Sequence, residues 1–285
     1  ESPAAYQSPF HYNHNIVNGT IVPPFFTQEL YDNAVANQPF KDGDVLISTY
    51  PKSGTTFTQN LVYNLLHGPI PDAGLHSVSI WHETAGSKQV DTLPDSRRVW
   101  KSHLCWEDTF QTEKDIKYIY VARNAKDVAV SLFHHARGFE LFQYNGTWED
   151  LFERFTSGQI EFGLWYKHVL GWWEASKSRD DILYLFYEDF VKDPETFIRR
   201  VATFIGVELS DELLDRVMRV TSFDYMKSNT KTNYAGGRKQ GSEPFMRKGK
   251  VGDWVDYFTT EQSAHFDKLY QNEIVDKSDL RFTFQ

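Results

Sequence analysis

Two rhythms of apolar residues alternate along the 285-residue chain. The run DVLIST, Asp44 to Thr49, is almost continuously apolar, as strands buried on both faces of a parallel sheet are. Beyond it Phe57, Leu61, Val62, Leu65 and Leu66 recur at helical spacing, and Gly68-Pro69 closes that helix. A second strand is expected at RVWKSH, Arg98 to His103. A third, IKYIYVA (Ile116 to Ala122), feeds a helix from Ala125 to Ala136 with Val128, Leu132 and Phe133 on its inner face. The fourth strand is expected at DILYLFYED, Asp181 to Asp189. Asp193-Pro194 then offers an N-cap and a first-turn proline to a helix with Phe197, Val201, Phe204 and Ile205 on one side, and Gly206 suits its end. Strands alternating with helices predict an α/β fold whose central parallel sheet is flanked by helices on both faces. With no internal repeat or low-complexity linker, residues 1–285 read as a single domain.

In such sheets ligands lie beyond the carboxyl ends of the strands. Lys52 follows the first strand, Lys101 and His103 end the second, Arg123 follows the third and Tyr187 stands at the fourth. Together they describe an anion site. The stretch STYPKSGTTFTQN (Ser48–Asn60) sharpens it: Lys52, Ser53, Gly54, Thr55 and Thr56 lie between a strand and a helix start. A helix N-terminus offers unpaired N–H groups and the positive end of the helix dipole, which suits a phosphate-like group. The spacing G-x-x-x-x-G-K-[ST] of the usual P-loop is absent, so the turn is P-loop-like only.

Composition narrows the ligand. A net charge of −9 argues against nucleic acid or anionic membranes as partners. Within it, residues 227–250 carry seven Lys/Arg against Glu243 alone, leaving the rest of the chain at −15. A local basic segment in an acidic protein points to a specific small anion, and Gly236, Gly237, Gly241 and Gly249 within it suit a mobile lid. The third strand ends in Arg123, not in the carboxylate that would hold Mg²⁺ in a phosphoryl-transfer site, and no His/Cys metal spacing occurs. One cysteine, Cys105, and no apolar run long enough to span a bilayer lead us to expect a cytoplasmic protein. The triplets Asn18-Gly-Thr20 and Asn145-Gly-Thr147 have the form of glycosylation sites and carry little weight beside that expectation.

The motifs TYPKSGTT (49–56), KSH (101–103), YVARNAKDVAVS (120–131), YEDF (187–190), TSF (221–223) and FMRKGKVGDW (245–254) occur in that order. They resemble those of the cytosolic sulfotransferases, with similarity running from about Val22 to Tyr270. The resemblance implies transfer of a sulfuryl group from 3′-phosphoadenosine 5′-phosphosulfate (PAPS) to a hydroxyl or amine of a small acceptor, without a metal. It implies that Lys52, Ser53, Gly54, Thr55 and Thr56 hold the 5′-phosphosulfate, and that Arg123, Ser131, Arg247, Lys248 and Gly249 hold the 3′-phosphate. Adenine falls to Phe57, Tyr187, Thr221 and Phe223; Phe57 departs from the tryptophan common at that position, which predicts weaker stacking. His103 resembles the family's general base, with Lys52 and Lys101 stabilising charge on the transferring group.

The acceptor pocket is expected among Phe25, Phe26, Trp81, His82, Phe139, Phe142, Tyr144, Tyr234 and Phe245, an aromatic wall suited to an aromatic or apolar acceptor, with His82 and Glu83 available to a polar one. Of the family's dimer segment K-x-x-x-T-V-x-x-x-E, Val255, Thr259, Thr260 and Ala264 keep only the threonine, so a monomer or a non-standard dimer is expected. Two alternatives stand beside transfer: dehydration through a transient sulfate ester with the same cofactor, and a PAPS- or PAP-binding protein without turnover.

Overall fold

The computed structural model describes residues 11–285 except 38–39, 86, 92, 110–111 and 235. Residues 1–10 of the expected domain therefore lie outside the described residues. A hairpin, β1 (Asn15–Val17) with β2 (Thr20–Val22), precedes a five-stranded sheet of β3 (Val45–Ser48), β4 (Ser79–Trp81), β5 (Val99–Ser102), β6 (Lys117–Ala122) and β7 (Ile182–Phe186). The spatial order is β4-β5-β3-β6-β7 and every pairing is parallel.

Successive strand residues face opposite sides of the sheet, and both sides are apolar. Val45, Ile47, Val99, Ile119, Val121 and Leu185 pack beneath helices Thr55–Leu66, Pro194–Phe204 and Asp211–Thr221. Leu46, Trp100, Tyr118, Tyr120, Ala122 and Tyr184 face helices Ala125–Gly138, Trp148–Ser157, Trp165–Ser178 and Thr260–Tyr270. These alternating sets are the two helix-covered faces that the apolar runs predict. At the amino end of β3, the buried Asp44 carboxylate accepts from Arg98 Nη2 at 2.6 Å and from Trp100 Nε1 at 2.9 Å, tying β3 to β5 in register.

Several boundaries differ from expectation. The fourth strand stops at Phe186, and Tyr187 opens a short helix, Tyr187–Lys192. Glu188 and Asp189 in its first turn favour that helix through the dipole, and Glu188 Oε1 accepts from Asn124 N at 2.8 Å. β4 has three residues and no readable alternation. Asn18-Gly19, with φ of 48° and 80°, is the turn of the β1–β2 hairpin, for which Asn-Gly is a strong signal. Thr147, in the other Asn-Gly-Thr triplet, caps helix Trp148–Ser157 in a capping box with Asp150. Asp193, Pro194 and Gly206 (φ 67°) take their expected places at the ends of helix Pro194–Phe204. No helix among the described residues is long and apolar enough to cross a membrane.

Candidate active site

Parallel register sets the site. Ser48 pairs with Ser102 on one side and Tyr120 on the other, so Thr49, His103 and Arg123 leave the sheet close together at its carboxyl edge. A cavity of about 430 Å³ lies there. Lys52, Gly54, Thr55, Thr56, Phe57, Arg123, Ser131, Tyr187, Thr221, Phe223, Arg247, Lys248 and Gly249 all line it, as do Lys101 and His103. Of the cofactor residues expected from sequence, Ser53 alone is absent from the wall: it is fully buried within the turn, and its Oγ has no hydrogen-bond partner among the described residues.

The turn is built for close approach. Lys52 adopts φ 71°, a left-handed conformation that costs a non-glycine residue energy and is commonest at functional sites. Gly54, at φ 106°, caps helix Thr55–Leu66 without a side chain, and a Cβ there would lie 2.9 Å from Tyr187 Cδ2. Thr49 Oγ1 and Thr55 Oγ1 hydrogen-bond at 2.7 Å across the turn. Tyr187 in turn lies under Arg123, with the guanidinium carbon 4.6 Å from the ring centroid. Arg123 itself lines the cavity, and its Nε is buried without a partner among the described residues.

The opposite wall comes from 245–254. Asp127, near the start of helix Ala125–Gly138, accepts from Gly252 N at 2.9 Å and Trp254 N at 3.1 Å, which fastens that segment to the helix. Asp253 accepts from both Arg247 and Lys248. Residues 237–239 attach to the helix's far end, where Lys239 N donates to Gly138 O at 2.8 Å and Arg238 stacks 4.8 Å from the Phe139 ring.

Electrostatics follows from crowding cations in a buried place. Burial lowers Lys52 from 10.5 to about 7, with Arg238, Arg123 and Lys101 adding repulsion. Its Nζ sits 3.9 Å over the Phe245 ring. Lys101, over Trp81 at 4.4 Å, is lowered to about 8 by burial, which Glu83 partly offsets. Burial, then Lys101, pushes His103 well below 6.5, so its imidazole is neutral at physiological pH. His103 Nδ1 lies 2.8 Å from Thr49 O. A carbonyl oxygen only accepts, so Nδ1 carries the proton and Nε2 has a free lone pair. The His103 backbone is held too: its carbonyl accepts from His168 Nε2 at 2.9 Å, and its N–H donates to Glu83 Oε1 at 3.0 Å. A neutral base flanked by lysines can take a proton while developing negative charge is stabilised.

The acceptor wall agrees in part with expectation. Phe25, Trp81, Phe139, Phe142, Tyr234 and Phe245 line the cavity. His82 does not: it is 2% exposed and stacks on Phe40 with centroids 4.3 Å apart. Tyr144 is likewise in the core, its hydroxyl donating to Thr147 O at 2.7 Å, and Phe26 is fully buried. Glu83 turns inward to Ser102 and His103 rather than toward a ligand. Sequence reasoning missed Glu161, Phe162 and His135, which all line the cavity. His135 was legible as the next inward turn of the Ser131 helix; nothing in the local sequence pattern marks Glu161 or Phe162.

The sulfotransferase domain family model matches residues 42–278. Sulfotransferase 1C2 of Homo sapiens is 38% identical over 277 residues, which are 90% of this chain and 91% of the relative. Among solved structures, retinol dehydratase in complex with retinol and PAP superimposes with a TM-score of 0.81 at 27% identity, covering 96% of this chain and 93% of its own. Mouse sulfotransferase SULT7A1 complexed with PAP gives a TM-score of 0.77 at 29% identity, covering 95% of each chain.

Proposed function

This chain belongs to the sulfotransferase family, and from that membership we propose that it moves a sulfuryl group from PAPS to a hydroxyl or amine of a small acceptor with an aromatic or apolar body. PAPS supplies the activated sulfuryl group and leaves as PAP. The residues present suit that nucleotide: the turn 52–56 has a glycine where a Cβ would crowd Tyr187, and Arg123, which lines the cavity, keeps a buried donor without a partner among the described residues. Arg123, Ser131, Arg247, Lys248 and Gly249 would hold the 3′-phosphate, and the fork of arginine fits its oxygens. Phe57, Tyr187, Thr221 and Phe223 would hold the base. Residues 227–250 act as the lid, and the chain works in a reducing compartment, where the thiol of Cys105 persists.

The observation that carries the reading is His103, held as a neutral imidazole in a cavity it shares with Lys101 and Lys52, with Nδ1 tied to Thr49 O and Nε2 unpaired among the described residues. His103 takes the acceptor proton at Nε2 while the acceptor oxygen attacks in line. Lys52 and Lys101 stabilise the charge that develops opposite. Binding alone has little use for such a base. Incubating the protein with labelled PAPS and a panel of phenols and alcohols, and weighing the products, tests this. Sulfate esters with matching PAP support transfer, while PAP binding without any product would leave a nucleotide-binding protein. A second reading, dehydration through a transient sulfate ester, is favoured by the likeness to retinol dehydratase, and an alkene product would select it.

A further inference from the structure

The acceptor half of the cavity is mostly aromatic, yet it contains one buried carboxyl group. Glu161 is 3% exposed and lines the cavity. Its Oε2 accepts from the Tyr12 hydroxyl, whereas Oε1 is buried with no hydrogen-bond partner among the described residues. Burial raises its pKa, opposed by the hydrogen bond from Tyr12, then by the residue's own backbone and last by Arg154, which favour the ionised form. A buried carboxyl oxygen without a donor is costly, and native structures keep such groups where something else completes them.

The backbone around it is held firmly. Phe162 takes φ 63°, a conformation unusual for a bulky aromatic residue. Its N–H donates to Ile21 O in the β1–β2 hairpin at 2.8 Å, and the Tyr50 hydroxyl donates to Gly163 O at 2.8 Å. This turn sets the Phe162 ring 5.4 Å from the His103 ring and 6.1 Å from the Trp81 ring, on the acceptor side of the base. Glu161, one residue earlier, is thereby fixed at the same wall, with Tyr12 on one oxygen and the other buried without a partner among the described residues.

We propose that Glu161 is a specificity-determining residue that takes a hydrogen bond from a second, uncharged hydroxyl of the acceptor. The preferred substrates are then flat or apolar molecules with two hydroxyls, one delivered to His103 and one to Glu161. An ammonium in that second place is disfavoured because Lys52, Lys101 and Arg123 already line the cavity with positive charge and Arg238 adds to it at Lys52. The proposal rests on reading this cavity as the acceptor site.

The test measures binding apart from chemistry. Phenols bearing a para alkyl chain, and their twins ending in a hydroxyl or a methoxy group, are titrated calorimetrically into PAP-saturated protein over a series of chain lengths. The wild type should bind at least one hydroxyl-ended phenol about tenfold or more tighter than its alkyl twin, since a site built for a hydroxyl rejects the analogue lacking it. Glu161→Leu should erase that ratio. In Glu161→Gln the Tyr12 hydroxyl keeps the amide oxygen, so the NH₂ faces the cavity and the methoxy-ended phenols should gain several-fold. No preference in the wild type at any length, or a preference that survives Glu161→Leu, overturns the proposal. Should the leucine variant not fold, an unchanged order of all three ligand types in Glu161→Gln overturns it equally. Labelled transfer is followed separately: preference without transfer keeps the role of Glu161 and removes the proposed function, and transfer without preference does the reverse.

Discussion

If the turn at Lys52 holds the anion as proposed, nucleotide binding is measurable as a proton flow. The displacement of Lys52 from 10.5 to about 7 in the ligand-free protein corresponds to about 5 kcal/mol disfavouring the charged form. Burial comes first among the causes and the repulsion of Arg238, Arg123 and Lys101 follows. An anionic group in the turn opposes each of these and returns the lysine toward its ordinary value. At about pH 8 binding should therefore draw in about 0.9 proton at Lys52, and about half a proton more at Lys101, which titrates at about 8. Because the complex holds more protons than the free protein, affinity is highest below about pH 7 and falls as pH rises through the free-state values. Calorimetric titration of PAP in two buffers of different ionisation enthalpy, HEPES and Tris, measures the uptake directly. Lys52→Met should leave only the Lys101 share. Uptake of less than about 0.3 proton at pH 8, or an affinity flat across the neutral range, refutes the reasoning. The same crowding destabilises the ligand-free fold fully below about pH 7 and progressively less up to 10.5, so Lys52→Met should raise the ligand-free Tm at neutral pH.

His103→Ala should lower kcat about a hundred- to ten-thousand-fold while PAP affinity stays nearly unchanged; a rate within about tenfold of wild type would remove His103 as the base. Asp44→Ala strips the buried Arg98 guanidinium and the Trp100 indole of their shared carboxylate, and thermal or denaturant melts should show a loss of about 3–5 kcal/mol. Gly249→Ala adds a Cβ that overlaps the Phe223 ring at a backbone φ of 63°, so calorimetry should find PAP bound about tenfold or more weakly, and wild-type affinity would clear Phe223 of any part in holding the base.

Much of the fold was legible because both sides of the sheet are covered. DVLIST and IKYIYVA could be read as buried strands for that reason, and Asp193-Pro194 fixed a helix start by chemistry that needs no tertiary context. β4 was invisible because three residues carry no period, and β7 was overextended because Tyr187-Glu188-Asp189 continues its apolar run into a helix whose start depends on Asn124 across the sheet edge. Asn18-Gly19 carries a hairpin-turn signal inside a triplet that also has the form of a glycosylation site. The anion side of the site depends on local turn chemistry and on strand ends, and the residues expected there line one cavity except Ser53, which is buried within the turn. The acceptor side depends on which way each aromatic ring faces. Composition could not separate Phe142 in the wall from Tyr144 in the core, nor show that His82 would stack on Phe40. Glu161 was hidden for the same reason: its meaning comes from Tyr12, 149 positions away in sequence.

The account stands or falls on whether the basic wall reads a 3′-phosphate. Titrating adenosine 3′,5′-bisphosphate and 5′-AMP into the protein without magnesium, with magnesium-ATP run separately, tests this directly. The account predicts tight binding of the bisphosphate and binding of 5′-AMP weaker by about a hundredfold or more, as loss of charge-assisted bonds to Arg123, Arg247 and Lys248 requires. Equal affinity for the two nucleotides, or a preference for magnesium-ATP, would contradict it.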